Sequence, residues 1–179
     1  MGIYCSLYSA STEQLAAIAR HPPFVNLLWG EAGWSSQRSF FSRLRHRAPS
    51  CLNDVSGSMQ ISLDKAWHGL HFLFSGSSAP GSLPASFLLA GGSDIGFDSR
   101  IVLPGEALQF GAFVASLGLD LLRARFDPAA MERLDVYPSV IWKRDGQEGL
   151  EWLLEFHDRL PGFFRDIAEE KHGYVITIA

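Results

Sequence analysis

An α+β fold is predicted for this chain: one compact domain over residues 1–179, with a small sheet that takes in a strand from each end and helices packed on one side of it. Three observations carry that reading. β-Forming residues gather at the two ends, in Ile3 to Tyr8 and in Tyr174 to Ile178. The middle is a succession of segments with helical periodicity and capping signals. Strand–helix–strand alternation is too sparse for a doubly wound parallel sheet.

Composition supports a folded domain. With 179 residues, 47% of them apolar, the chain is long enough to bury a core without disulfide or metal staples. Thirteen Phe and five Trp argue against disorder, since those rings need burial or partners. A net charge of −4 supplies no broad positive field for nucleic acid or an acidic lipid surface. No stretch approaches the roughly eighteen continuous apolar residues of a membrane span. Cys5 and Cys51 lack the spacing of a zinc site or a disulfide framework. The start of the chain lacks the basic leader and apolar run of a secretory signal. Met1-Gly2 with Ser6 fits the short myristoylation pattern, but the residues that follow read as a strand. A reduced, cytoplasmic protein is the expectation.

The elements follow in order. Ile3 to Tyr8 is a strand. Ser11 caps a helix, and Gln14 three residues on completes a capping box; His21-Pro22-Pro23 ends it. Phe24 to Trp29 is a short apolar helix stopped by Gly30, and Ser35 to Arg47 is a third helix with Phe40, Phe41 and Leu44 inward. Its basic end, Arg43, Arg45, His46 and Arg47, suits a solvated helix C-terminus better than a phosphate site. Pro49 to Met59 is a loop. A helix from Leu63 to Phe74 ends at Ser75-Gly76, and a Ser/Gly/Pro-rich connector reaches Pro84. A brief helix at Ala85–Leu89 stops at Gly91-Gly92, and Asp94 to Leu103 is extended. Pro104 opens one long helix to Arg125 with Leu108, Phe110 or Phe113, Val114, Leu117, Leu121 and Leu122 inward. Asp127-Pro128 opens another, from Ala129 to Leu134. Val136 to Trp142 is a turn or extended stretch, a last helix from about Gly146 to His172 breaks at Pro161-Gly162, and Tyr174 to Ile178 is the final strand.

The segment from Ser62 to Gly76 holds most of the candidate chemistry. At helical spacing Leu63, Trp67, Leu70 and Phe74 share one face, with Asp64, His68 and His71 beside it. Two imidazoles and a carboxylate at i, i+4 and i+7 could hold a divalent ion or pair as base and orienter. Alternatively they satisfy a core, with Asp64 at the helix start and His71 on a backbone carbonyl. No second polar cluster converges on them, and no metal or other cofactor is expected. Ser75-Gly76-Ser77-Ser78 lacks the strand-to-helix setting of a nucleophile elbow. Neither cysteine carries a cue for a lowered thiol pKa. Gly91-Gly92-Ser93-Asp94-Ile95-Gly96 lacks the lysine and the following helix of a phosphate cradle. Trp67, His71, Tyr137 and Trp142 are the candidate binding residues, as aromatic walls of a cleft or as core and rigid turn.

Taken together, Met1-Gly2-Ile3, Asp64-Lys65-x-Trp67-x-x-Leu70-His71-Phe72, Asp127-x-x-x-Met131 and Val136-Tyr137-Pro138 before a long terminal helix resemble the YfbM-like family, over nearly the whole chain. The resemblance implies a bacterial, cytoplasmic, single-domain α+β protein and no activity, because that family has no established catalytic residues. Its pattern carries the histidine of position 71 and leaves position 68 free. The functional expectation is a non-catalytic binding or interaction protein, with an immunity-type protein as the form its acidic balance suggests. It would hold a protein partner or small ligand, not nucleic acid or membrane. The alternative is a small hydrolase or metal-dependent enzyme centred on His71 and Asp64.

Overall fold

The computed structural model describes residues 2–28, 48–52 and 59–179. Strand β1 (Cys5–Ala10) leads into α1 (Thr12–Arg20), whose start is the expected capping box. The Ser11 hydroxyl accepts from the Gln14 amide at 3.2 Å, and the Gln14 side chain accepts from the Ser11 amide at 2.8 Å. A 3-10 turn at Pro22–Phe24 joins α1 to α2 (Val25–Leu28). The expected helix from Ser35 to Arg47, its basic end, and Trp29 and Gly30 lie outside the described residues, as does 53–58 of the expected loop.

Strand β2 (Gln60–Asp64) corrects the first turn of the predicted Leu63–Phe74 helix. Ile61 and Leu63 point into the core while Gln60 and Ser62 face out, a period of two that pairing with β1 enforces. Helix α3 begins only at Trp67 and runs to Ser75 (Trp67–Ser75), where Gly76 closes it at φ 74°. Asp64 (φ 47°) therefore sits at a strand end and does not share a helical stripe with His68 and His71.

Helix α4 (Phe87–Ala90) precedes a hairpin where one extended run was expected. Strands β3 (Ser93–Gly96) and β4 (Ser99–Val102) turn over Phe97-Asp98, both at positive φ (57° and 52°). Two left-handed residues give a turn whose twist matches its strands, here without the usual Asn-Gly. The expected single helix from Pro104 to Arg125 is two, α5 (Pro104–Ser116) and α6 (Leu119–Arg125), bent by 84° at Leu117-Gly118. Leu108 and Leu121 are exposed, against expectation, while Phe110, Val114, Leu117 and Leu122 are buried. Helix α7 (Pro128–Arg133) is capped as expected, by the Asp127 carboxylate accepting from the Ala129 and Ala130 amides.

After Tyr137-Pro138 the chain enters a short helix, α8 (Ile141–Asp145), so Trp142 is helical and not extended. Helix α9 (Gln147–Glu169) passes through Pro161 without the predicted break. Tertiary packing holds it: Leu153, Leu160, Phe163, Phe164 and Ile167 are buried on both sides of the proline.

The last strand, β5 (Gly173–Ile178), is the middle of a five-stranded antiparallel sheet of order β2-β1-β5-β4-β3. Both terminal strands belong to it, as predicted, and they are neighbours. Helices cover both faces, not one. Cys5, Leu7, Val102, Tyr174 and Ile176 face the larger core with α3, α4, α5 and α9. Ala10, Ile101 and Val175 face a smaller one with Leu15 and Ile18 of α1 and Val25 and Leu27 of α2.

Candidate functional site

Helix α3 positions the candidate residues. Its side toward α9 is so close that a Cβ on Gly69 would lie 2.6 Å from the Trp142 ring and 2.8 Å from Leu153. Trp142 is fully buried there and donates its indole N–H to the Val136 carbonyl at 2.7 Å. The C-terminal end of α3 is capped by Arg125, which donates to the Leu73 and Phe74 carbonyls at 2.9 and 2.7 Å. With both its side and its end held, the first turn of α3 presents Trp67, His68 and His71 in fixed positions.

Trp67 stacks on His68 (ring centroids 4.9 Å, interplanar angle 8°) and on Tyr137 (5.9 Å, 26°). Ile3 joins them: its carbonyl accepts from the Trp67 indole at 3.2 Å, and its amide donates to the Tyr137 hydroxyl at 2.8 Å. Tyr137 and Trp67 thus meet at the start of α3, the His71 ring centroid lies 6.2 Å from that of His68, and Trp142 packs on the core side of the same helix. The sequence reading did not single out Ile3, which is 43% exposed and bonded through its backbone to both rings; Tyr4, its neighbour in the chain, and Val140, three residues after Tyr137, are also exposed. The partners of Ile3 lie far along the chain, so no local pattern marks it.

Hydrogen-bond chemistry assigns both imidazoles. An amide can only donate, so His68 Nδ1 accepts from Tyr137 N–H at 2.9 Å. A carbonyl can only accept, so His68 Nε2–H donates to Ser78 at 2.7 Å. Both nitrogens are spoken for in the neutral form. His71 has no exposed surface, and its Nε2–H donates to the Ala79 carbonyl at 3.1 Å while Nδ1 has no partner. Burial pushes the His71 pKa down, His68 adds to the effect, and the Ala79 carbonyl opposes it.

The catalytic alternatives find little in this geometry. One oxygen of Asp64 is buried without a partner, and no hydrogen bond or ion pair among the described residues joins Asp64 to His71. Among the described residues no group of three or more His, Cys, Asp or Glu is placed to hold a metal ion. The Ser75 hydroxyl is 3.3 Å from His71 Nε2, but it bonds the His71 carbonyl at 2.8 Å and accepts from the Ser77 amide. With Nε2 carrying its proton, His71 does not act there as a base toward Ser75. Burial pushes both thiols up, Cys5 above the usual thiol range, so neither is poised as a thiolate.

A family described as a domain of unknown function, DUF1877, matches residues 1–177. The chain belongs to it. The fold of this DUF1877 protein is similar to the crystal structure of YfbM from Escherichia coli, a protein of unknown function. The TM-score is 0.67 at 17% identity, over 98% of this chain and 99% of that one. At that identity the likeness is one of fold, which agrees with the YfbM-like resemblance of the sequence. No curated protein matches the chain.

Proposed function

We propose that this chain is a binding protein whose partner docks on the aromatic cluster around Trp67 and Tyr137, with His71 and Trp142 supporting it from behind. The observation that carries the reading is the exposed Ile3, whose backbone holds the Trp67 and Tyr137 rings in place, with exposed Tyr4 next to Ile3 and exposed Val140 three residues after Tyr137 in the chain. A preordered aromatic patch loses little entropy when it is covered. The two imidazoles support a binding role over a catalytic one, since three of their four nitrogens bind backbone groups. The net charge of −4 favours a basic partner protein, such as a toxin neutralised by an immunity-type protein, over a small ligand. Among the described residues no single helix is long and apolar enough to cross a membrane. That and the likeness to an Escherichia coli protein support a bacterial, cytoplasmic setting.

The test is capture of a stoichiometric partner at low salt by the intact chain and by Tyr4→Ser combined with Val140→Ser. The double variant loses capture by at least tenfold at unchanged Tm, and added salt weakens the wild-type interaction. Equal capture by both proteins overturns the reading.

A further inference from the structure

The bonding of His68 has a consequence for acid conditions. Its imidazole ties together three separate parts of the chain: α3, which carries it; the connector after α3, through the Ser78 carbonyl; and the Tyr137 segment, through the Tyr137 amide. The bond to Tyr137 exists only while Nδ1 is bare. A proton added there sets N–H against N–H and turns the contact from attraction to repulsion. The Ser78 bond survives, because Nε2 donates in both forms. Protonation therefore releases one attachment and keeps the other.

We infer that His68 is a proton-operated latch: neutral, it holds the Tyr137 segment against Trp67, and protonated, it lets that segment go. His68 is half-buried, so solvent protons reach it. The Trp67 ring lies flat against it, and His71 stands on the other side with ring centroids 6.2 Å apart. The connector contributes a carbonyl, and the Tyr137 segment contributes an amide and a phenol already bonded to Ile3. Among the described residues no carboxylate forms an ion pair with either imidazole. A second proton on His71 would add like-charge repulsion. Release of Tyr137 takes with it the ring stacked on Trp67 and the hydroxyl that fixes Ile3, so the latch sets the shape of the aromatic cluster. That last consequence for binding rests on the function proposed above; the latch itself does not.

The test needs only the chain itself. Amide hydrogen exchange by NMR, corrected for intrinsic rates, is followed between pH 7.5 and 5.0. Protection of the Tyr137 amide falls at least tenfold while the Leu153 amide in α9 stays protected. His68→Asn puts a non-titrating acceptor near the position of Nδ1 and removes that fall. In the wild type, the His68 ring 15N signals show a bare Nδ1 at pH 7.5, and its protonation shares a midpoint with the loss of Tyr137 protection. This measurement decides the matter if the variant does not fold. Constant Tyr137 protection, an unchanged pH dependence in His68→Asn, separate midpoints, or loss of protection at Tyr137 and Leu153 together would each overturn the latch. Failure of partner capture at pH 7.5 would overturn the binding function and leave this result standing.

Discussion

His157 is the other buried imidazole, and it has less support than those on α3. It is 6% exposed, neither ring nitrogen has a hydrogen-bond partner, and its ring meets Phe74 edge-on at 6.0 Å. Burial lowers its pKa, with Asp158 and the Val114 carbonyl opposing only in part. For His71 and His157 alike the folded value lies below the ordinary 6.5. As pH falls, the unfolded chain therefore takes up protons first. Their effect is absent well above 6.5, and stability declines as pH drops through and below that value. Replacing His157 by Leu removes one of these groups and the cost of its bare nitrogens. The expected change at pH 7.5 is under about 1.5 kcal/mol, as for other volume-conserving swaps. The gap between urea midpoints at pH 7.5 and pH 5.0 should narrow in this variant. An unchanged gap would show that the ring does not titrate on unfolding.

Between elements, α3 packs closely on α8 and α9. Gly69 lets α3 approach until the Trp142 ring of α8 and Leu153 of α9 occupy the space a side chain would need. Helix propensity alone favours Ala at such a position by about 1 kcal/mol. Overpacking opposes it, and displacing a buried indole costs about 1–3 kcal/mol. Gly69→Ala should therefore lower stability by up to about 2 kcal/mol, seen as a lower urea midpoint at constant m. A gain in stability would mean that Trp142 moves aside freely, and its hydrogen bond to Val136 would then be weaker than its 2.7 Å length indicates. The capping signals belong to this scale too. Ser11 with Gln14 and Asp127 with Pro128 act within one helical turn, and each sits where its local pattern puts it.

For the molecule as a whole, the decisive arrangement is the pairing of the two terminal strands. Strand β5 lies between β1 and β4 and contributes to both cores, through Tyr174 and Ile176 on one face and Val175 on the other. Outside the strands proper, Tyr4 and Ala179 exchange backbone hydrogen bonds at 2.7 and 3.0 Å. A chain shortened to end at His172 would lose the middle of the sheet and expose both cores. It is expected to show no cooperative thermal transition, whereas a two-state melt from that fragment would mean the helical layers fold without it. Closing the sheet across nearly the whole chain also makes folding depend on contacts of long sequence separation.

What could be read from sequence alone was whatever a few neighbouring residues decide. The α+β class, the terminal strands and the capped helices all follow from local periodicity and capping. What tertiary structure decided were the cases where two local readings compete. Residues 60–64 fit the edge of a helix or a strand, and the pairing of Ile61 with Leu7 selects the strand. Gly118 permits a helix or a corner, and the 84° bend selects the corner. Pro161 would weaken an isolated helix, and burial on both sides of it keeps α9 whole. The candidate site divides in the same way. Composition and spacing mark Trp67, His71 and Tyr137, but the partners that give His68 its tautomer are backbone groups of Ser78 and Tyr137, and Ile3 arrives from the opposite end of the chain. Backbone hydrogen-bonding groups are the same at every residue type, so their use by a distant side chain leaves no mark in the order of amino acids.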